Sequence, residues 1–235
     1  MNLQLCEFGP DVMGLDSLSP FCFKVLRALK FHGLPFTRLH SSRPGAFKKY
    51  NETGQVPVLL VDGEATPDST MILKVLETLS ARSLLPESQE LQAEAWLCEE
   101  FADTVLFPFT LAARWADDDN WPVCRKYTFG DLPPLLNRLV PYLARRGLQQ
   151  RLSGEEIFRH GPEACWQLFN DHLGHLNTRS PAAGFWLGDE LTVADISLFA
   201  QLQSFRTIMT KAQMEYINNH TRLAAWLDRV EEATK

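Results

Sequence analysis

Along the first eighty residues the spacing of apolar positions changes several times, and each change marks an element. "LQLCEF" (residues 3–8) alternates apolar and polar side chains, the two-residue period of a strand. "GPDVMGLDSL" has no period and reads as a loop. In "PFCFKVLRALKFHG" Phe21, Val25 and Leu29 recur every four residues with Leu26 beside them, which predicts a helix. Ser19 can cap that helix, Pro20 suits its first position and Gly33 can end it before Pro35. "FTRLH" predicts a second strand and "GAFKKYN" a short helical turn. "QVPVLLVDGEAT" predicts two strands joined at Asp62-Gly63, a dipeptide suited to a tight hairpin. "DSTMILKVLETLSA" predicts a helix capped by Asp68 or Ser69, with Met71, Ile72, Val75, Leu76 and Leu79 as its stripe. The order strand, helix, strand, short helix, hairpin, helix makes a small α/β layer with a mixed sheet.

After a polar, proline-containing linker, "ARSLLPESQE", the period becomes helical and stays so. "LQAEAWLCEEFADTVLFPFTLAARW" predicts a long amphipathic helix that Pro108 should kink or break, with "DDDNWP" ending it. "LPPLLNRLVPYLARRGLQQRL", "GPEACWQLFNDHLGHLNT", "TVADISLFAQLQSFRTIM" and "TRLAAWLDRVEEA" predict four more helices. The expected class is α+β: a thin sheet domain over 1–80, a linker over 81–90 and an all-helical domain over 91–235.

Composition narrows the function. The chain has 235 residues, 45% hydrophobic and 22% charged, with a net charge of -6 and no long basic run, so nucleic acid and anionic membranes are not expected partners. No apolar stretch has the ~18 residues of a bilayer span. "MNLQLCEFGPDVMG" lacks a basic start and a long apolar run, so a secretory signal is not expected. The five cysteines are scattered with no Cys-x-x-Cys pair, which argues against zinc and a disulfide framework and for a reducing, cytoplasmic setting. His172 and His175, near Asp171, have metal-ligand spacing but no third partner, and a solvated helix face is the simpler reading. Asp117 to Asp119 reads as a charged loop.

The candidate chemistry sits in "SPFC", Ser19 to Cys22. Unpaired N–H groups at a helix N-terminus favour an anion, and a thiolate is one. A serine hydroxyl there can donate a hydrogen bond to sulfur. One or two units of pKa, each about 1.4 kcal/mol, would bring a free thiol near neutrality. The thiol would be borrowed, with glutathione as the candidate. Two distant elements fit. Pro57 at the start of a strand often marks a special turn or a cis bond, and a cis Pro57 would leave the Val56 backbone to pair with an extended peptide. Asp68 and Ser69 at a helix N-terminus can receive a carboxylate. Each residue also has a plainer reading: Ser19, Asp68 and Ser69 as helix caps, Pro57 as architecture and Cys22 as a buried, inert thiol. Ser17 and Cys22 are rivals for contact with the sulfur.

In order and spacing, "SPF.FKVL..L...GLP", "G.VPVL", "DS..I...LE" and "LGDELTVAD" resemble the glutathione S-transferase family. The resemblance implies a thioredoxin-like N-terminal domain, an all-α C-terminal domain and a homodimer. It implies Ser19 as the catalytic position, with Val56, Pro57, Asp68 and Ser69 holding glutathione as cosubstrate. It also implies a pocket for a small electrophilic substrate, expected near Leu106, Phe109, Arg114 and Trp115, and no metal. In "LGDELTVAD" Thr192 and Asp195 read as a structural capping box. "SPFCFKV", "DSTMI", "EEF...LFPFTLAARW" and "QRLSGEEIFRHGPE" further resemble the bacterial branch related to metaxins and failed-axon-connections proteins. Arg114-Trp115 fits that branch's pattern, whereas Ile157-Phe158-Arg159-His160 lacks the expected glycine. Arg159 and His160 read as pocket or packing residues. The resemblance implies conjugation of glutathione; a glutathione-dependent thiol-disulfide reductase and a non-catalytic metaxin-like scaffold are the alternatives.

Overall fold

A four-stranded mixed sheet forms from the first eighty residues, in the order β2-β1-β3-β4, and every later element is helical. The structure, a computed structural model, describes residues 1–8, 15–41, 45–130 and 132–235. Most of the loop expected over 9–18 lies outside those residues. Strand β1 (Leu3–Glu7) runs parallel to β2 (Phe36–His40) and antiparallel to β3 (Val58–Val61), which pairs with β4 (Glu64–Pro67). The β3–β4 hairpin turns at Asp62 (φ 50°) and Gly63 (φ 95°), two positive-φ residues that match the strand twist. Helix α1 (Pro20–His32) ends where Gly33 takes the left-handed conformation at φ 65° and closes on the carbonyls of Leu29 and Lys30. Helix α2 (Ser69–Leu79) turns Ile72, Leu73 and Leu76 inward.

The long amphipathic segment does not break at Pro108. Helix α3 (Gln89–Glu100) passes into a π-helical run over Phe101–Leu106, then α4 (Phe107–Leu111) and a second π-helical run over Ala112–Ala116. The wider turns of π-helix accommodate a residue that has no N–H to give, so the chain stays helical where a kink or break was expected. Helices α5 (Trp121–Phe129), α6 (Pro134–Leu152), α7 (Pro162–Arg179), α8 (Val193–Gln203), α9 (Lys211–Asn219) and α10 (Thr221–Ala233) follow. The helix expected over 192–209 stops at Gln203. Beyond it Thr207 caps the amide of Met209 and Thr210 donates to the Phe205 carbonyl, so hydroxyls take over the backbone groups that a helix would have used. Helices α5 and α9 were not expected from periodicity.

Contacts concentrate in two compact units, one of Met1–Asp103, Pro181–Ser204 and Trp226–Lys235, the other of Thr104–Ser180 and Phe205–Ala225. In the first, Lys24 of α1 is buried and meets two carboxylates, Glu99 at 2.7 Å and Asp103. Thr70 of α2 donates to Glu99 at 2.5 Å and Gln201 of α8 to Asp103 at 3.3 Å, so four helices share one polar network. Asp195 is buried too. Its carboxylate accepts from the Trp186 amide (2.6 Å), the Thr192 amide (3.0 Å), the Thr192 hydroxyl (2.9 Å) and the Trp226 indole (3.0 Å). The expected capping box is thus present and also anchors Trp226, which packs edge-on to Trp186. In the second unit Phe109, Phe169 and Phe205 form a ring-on-ring core, and Asn120 bridges the Ala113 carbonyl and Gln213.

Asp195→Ala leaves four buried donors unpaired and should lower unfolding stability by about 3 kcal/mol, read from urea denaturation. Asp103 is pushed up to about 6, first by burial, against the pull of Lys24 and with Glu99 adding repulsion. A carboxyl whose folded pKa lies above its ordinary 3.8 stabilises the fold fully below that value, and the contribution is lost as pH rises through about 6. Asp103→Asn should therefore gain stability relative to the unaltered chain between about pH 4 and about pH 7; a pH-independent difference would contradict this assignment.

Candidate functional site

The register of the sheet gathers the candidate residues at one end. Val58 pairs with Pro67, so Pro57 and Asp68 follow as neighbours just beyond the β3–β4 ladder. Cys6 pairs with Val58, which brings the carboxyl end of β1 to the same edge. Cys22, in the first turn of α1, shares an apolar cluster with Cys6, Val56, Val58 and Leu60. The start of α1 and the Val56-Pro57 segment therefore rest on one piece of core.

Ser19 is the N-cap of α1. Its backbone is extended (φ −86°, ψ 121°), Pro20 follows in the first turn, and its hydroxyl oxygen accepts from the Cys22 amide at 3.4 Å. It is half-buried, and the first turn carries no acidic residue to compete with an incoming anion. Ser17 is fully buried, and its oxygen accepts from the Ser19 amide at 3.4 Å. Cys22 is also fully buried, and its thiol is pushed up to about 12, chiefly by desolvation, with the Ser19 and Ser17 hydroxyls opposing. Of the three rivals only Ser19 keeps accessible surface.

The Val56-Pro57 bond is cis, and the Val56 backbone makes no hydrogen bond among the described residues. Asp68 caps α2, its carboxylate accepting from the Met71 amide at 3.1 Å, and it holds φ 75°, a left-handed conformation uncommon outside glycine. Ser69 is buried beside it. The residues expected around the electrophile fall in the second unit and differ in character. Leu106 and Phe109 are fully buried; Phe109 packs on Phe169 and His172. They fill core. Trp115 is half-buried among Trp121 and Phe129. Arg114 is buried, and desolvation lowers it to about 10. Arg159 pairs with Glu156 on the surface.

Three charged residues beside α1 escaped sequence reasoning. Arg38 of β2 bonds both the buried Glu7 carboxylate of β1 and the main-chain carbonyl of Asp16. The Asp16 carboxylate faces α1, 3.0 Å from Lys30 and 3.1 Å from Arg27. The available signal was a charged residue within each of two paired strands, Glu7 at the end of "LQLCE" and Arg38 in the middle of "FTRLH".

Residues 18–79 match the family model of the glutathione S-transferase N-terminal domain and residues 147–229 that of the glutathione S-transferase C-terminal domain. Protein LigF of Sphingobium sp. strain SYK-6 is 26% identical over 249 residues, covering 98% of this chain and 90% of LigF. The crystal structure of beta-etherase LigF superposes with a TM-score of 0.64 at 22% identity, over 99% of this chain and 98% of that one. Failed axon connections of Drosophila melanogaster is 27% identical over 198 residues, 80% of this chain but 46% of that protein. A glutathione S-transferase from Methylobacillus flagellatus, solved with glutathione bound, has a TM-score of 0.62 at 15% identity, covering 99% of each chain.

A thiol this buried and this weakly acidic should resist alkylation. In the folded protein iodoacetamide at about pH 8 should modify the half-buried Cys98 and spare Cys22, which should react only after unfolding. Peptide mass spectrometry reads the outcome, and prompt native labelling of Cys22 would overturn the inert assignment.

Proposed function

The chain belongs to the glutathione S-transferase family, and from that premise we propose that it conjugates glutathione to a small electrophile, with Ser19 donating a hydrogen bond to the cosubstrate's thiolate. The observation that carries this reading is the contrast at the start of α1. The Ser19 residue is only half-buried at the helix start, its hydroxyl in reach of the Cys22 amide and sulfur and able to turn to a guest thiolate, while Cys22 is buried with its thiol pushed up to about 12. The protein then supplies a donor for a thiolate and no thiolate of its own. That contrast also weighs against a thiol-disulfide reductase working through Cys22.

Glutathione would lie across the gathered end of the sheet. The unpaired backbone of Val56, set by cis Pro57, would take its central peptide as an added strand. The N-terminus of α2 at Asp68 and Ser69 would take a terminal group of the tripeptide, and the φ of Asp68 is the kind of backbone outlier that functional sites hold. The ionised sulfur attacks an electrophilic carbon and forms a carbon–sulfur bond. Electrons leave with the departing group, or with the oxygen of an opened ring, and a proton from solvent completes the product. A carbon bearing an oxygen leaving group suits this chemistry, in keeping with the name beta-etherase carried by LigF. Arg114 and Trp115 remain the proposed contacts for the electrophile; the complete burial of Leu106 and Phe109 favours a supporting role for them. A homodimer, the division of the chain at 81–90 and a cytoplasmic setting belong to the same reading. The exposed apolar side chains of Leu135, Leu139, Tyr142 and Leu143 on α6 support association.

Ser19→Ala should raise the pKa of bound glutathione by about one unit and cut kcat/KM about tenfold or more with chlorodinitrobenzene below that pKa. Thiolate absorbance and steady-state rates check it. An unchanged pKa and rate would remove Ser19 from the mechanism, and failure of glutathione to bind in calorimetry would leave a scaffold with the family's fold.

A further inference from the structure

Resting on that reading of Ser19, we propose that Asp16 is a positioning residue that aims the Ser19 hydroxyl, held between the sheet and α1 by three cations. The residue is gripped at both of its polar ends. On the sheet side, Arg38 donates through Nη2 to the Asp16 carbonyl and through Nε to Oε1 of the fully buried Glu7. On the helix side, Asp16 Oδ2 accepts from Lys30 Nζ at 3.0 Å and lies 3.1 Å from Arg27 Nε. These two cations stand three residues apart, on one face of α1. Around this group lie His40, 3.9 Å from Glu7, and Glu231, 3.7 Å from Arg27. The Arg27 side chain is only 4% exposed, which shields its contact beyond that of an ordinary surface bridge, whereas Asp16 (25%) and Lys30 (32%) keep part of their surface.

Only Ser17 and Leu18 separate this clamp from Ser19. Ser17 turns its buried hydroxyl oxygen to the Ser19 amide, and Pro20 fixes the next φ, so little freedom remains for the N-cap. Directionality makes the clamp matter for chemistry. A hydrogen bond to sulfur weakens steeply once donor and acceptor fall out of line. Loosening the 16–19 segment would cost thiolate stabilisation. It would leave tripeptide binding nearly intact, because that would rest on Val56, Asp68 and Ser69, which the clamp does not touch.

The test is a double-mutant cycle read by the thiolate absorbance of bound glutathione, with Ser19→Ala, Asp16→Ala and the double variant. Asp16→Ala should raise the bound thiol's pKa by about half to one unit and lower kcat/KM about three- to tenfold below it. The Kd for glutathione should stay within about twofold. The double variant should match Ser19→Ala alone, since a residue that acts through Ser19 has nothing left to aim. Asp16→Asn, which keeps the shape and loses the charge, should fall between. Arg38→Lys should restore part of what Arg38→Met removes. If Asp16→Ala does not fold, Asp16→Asn and Arg38→Met carry the same cycle. Additive effects, or an unmoved pKa in the Asp16 variants while Ser19→Ala shifts it, would overturn the proposal for Asp16. No shift with Ser19→Ala itself would instead sink the reading on which it rests.

Discussion

Lys24 buries an ammonium group with 1% of its side chain exposed, and the first unit is arranged around that fact. An isolated charge at such a depth costs several kcal/mol, so α1 can pack there only where Glu99 and Asp103 come to meet it. Two carboxylates for one ammonium leave an excess negative charge. Thr70 and Gln201 supply the further donors, and burial, with the repulsion of Glu99 adding to it, pushes Asp103 up to about 6. Thr70 is the second residue of α2, directly after Asp68 and Ser69. The network that neutralises Lys24 therefore also fixes where the two helix starts that carry the candidate site stand relative to one another.

A second constraint comes from the sheet. A one-residue slip would turn every side chain of a strand to the other face, and in the register observed Val58 pairs with Pro67 while Val58, Leu59 and Leu60 are all buried. That choice brings cis Pro57 and the unusual backbone of Asp68 side by side, beyond the ladder where no strand claims their polar groups. The helix start of α1 joins them through the cluster of Cys6, Cys22 and Val56. Site geometry follows from apolar packing, with the polar atoms left over at its rim. The same packing silences Cys22: its sulfur belongs to the core, and the serine before it is the group that still faces outward.

In the helical elements, polar side chains decide where helices stop and how they stay joined. Asp195 satisfies four donors at once, and hydroxyls at Thr207 and Thr210 end what apolar periodicity would have continued. Around Pro108 the backbone widens into π-helical turns and keeps going.

Local chemistry was legible in the chain itself. The four strands, α1 with its Ser19 cap and Gly33 stop, the Asp62-Gly63 hairpin and the Thr192–Asp195 box all follow from period, caps and turn residues that act within a few positions. So did the candidates Ser19, Val56, Pro57, Asp68 and Ser69, because each sits at an element boundary that the sequence marks. What the sequence left open was decided by partners far along the chain. Whether Phe109 lines a pocket or fills a core depends on the rings of Phe169 and His172, some sixty residues on. The roles of Lys24, Glu99 and Asp103, and of Asp16, Arg38 and Glu7, arise only when separate elements bring opposite charges out of water together. A residue's type states the charge it carries; burial and its neighbours settle what that charge must do.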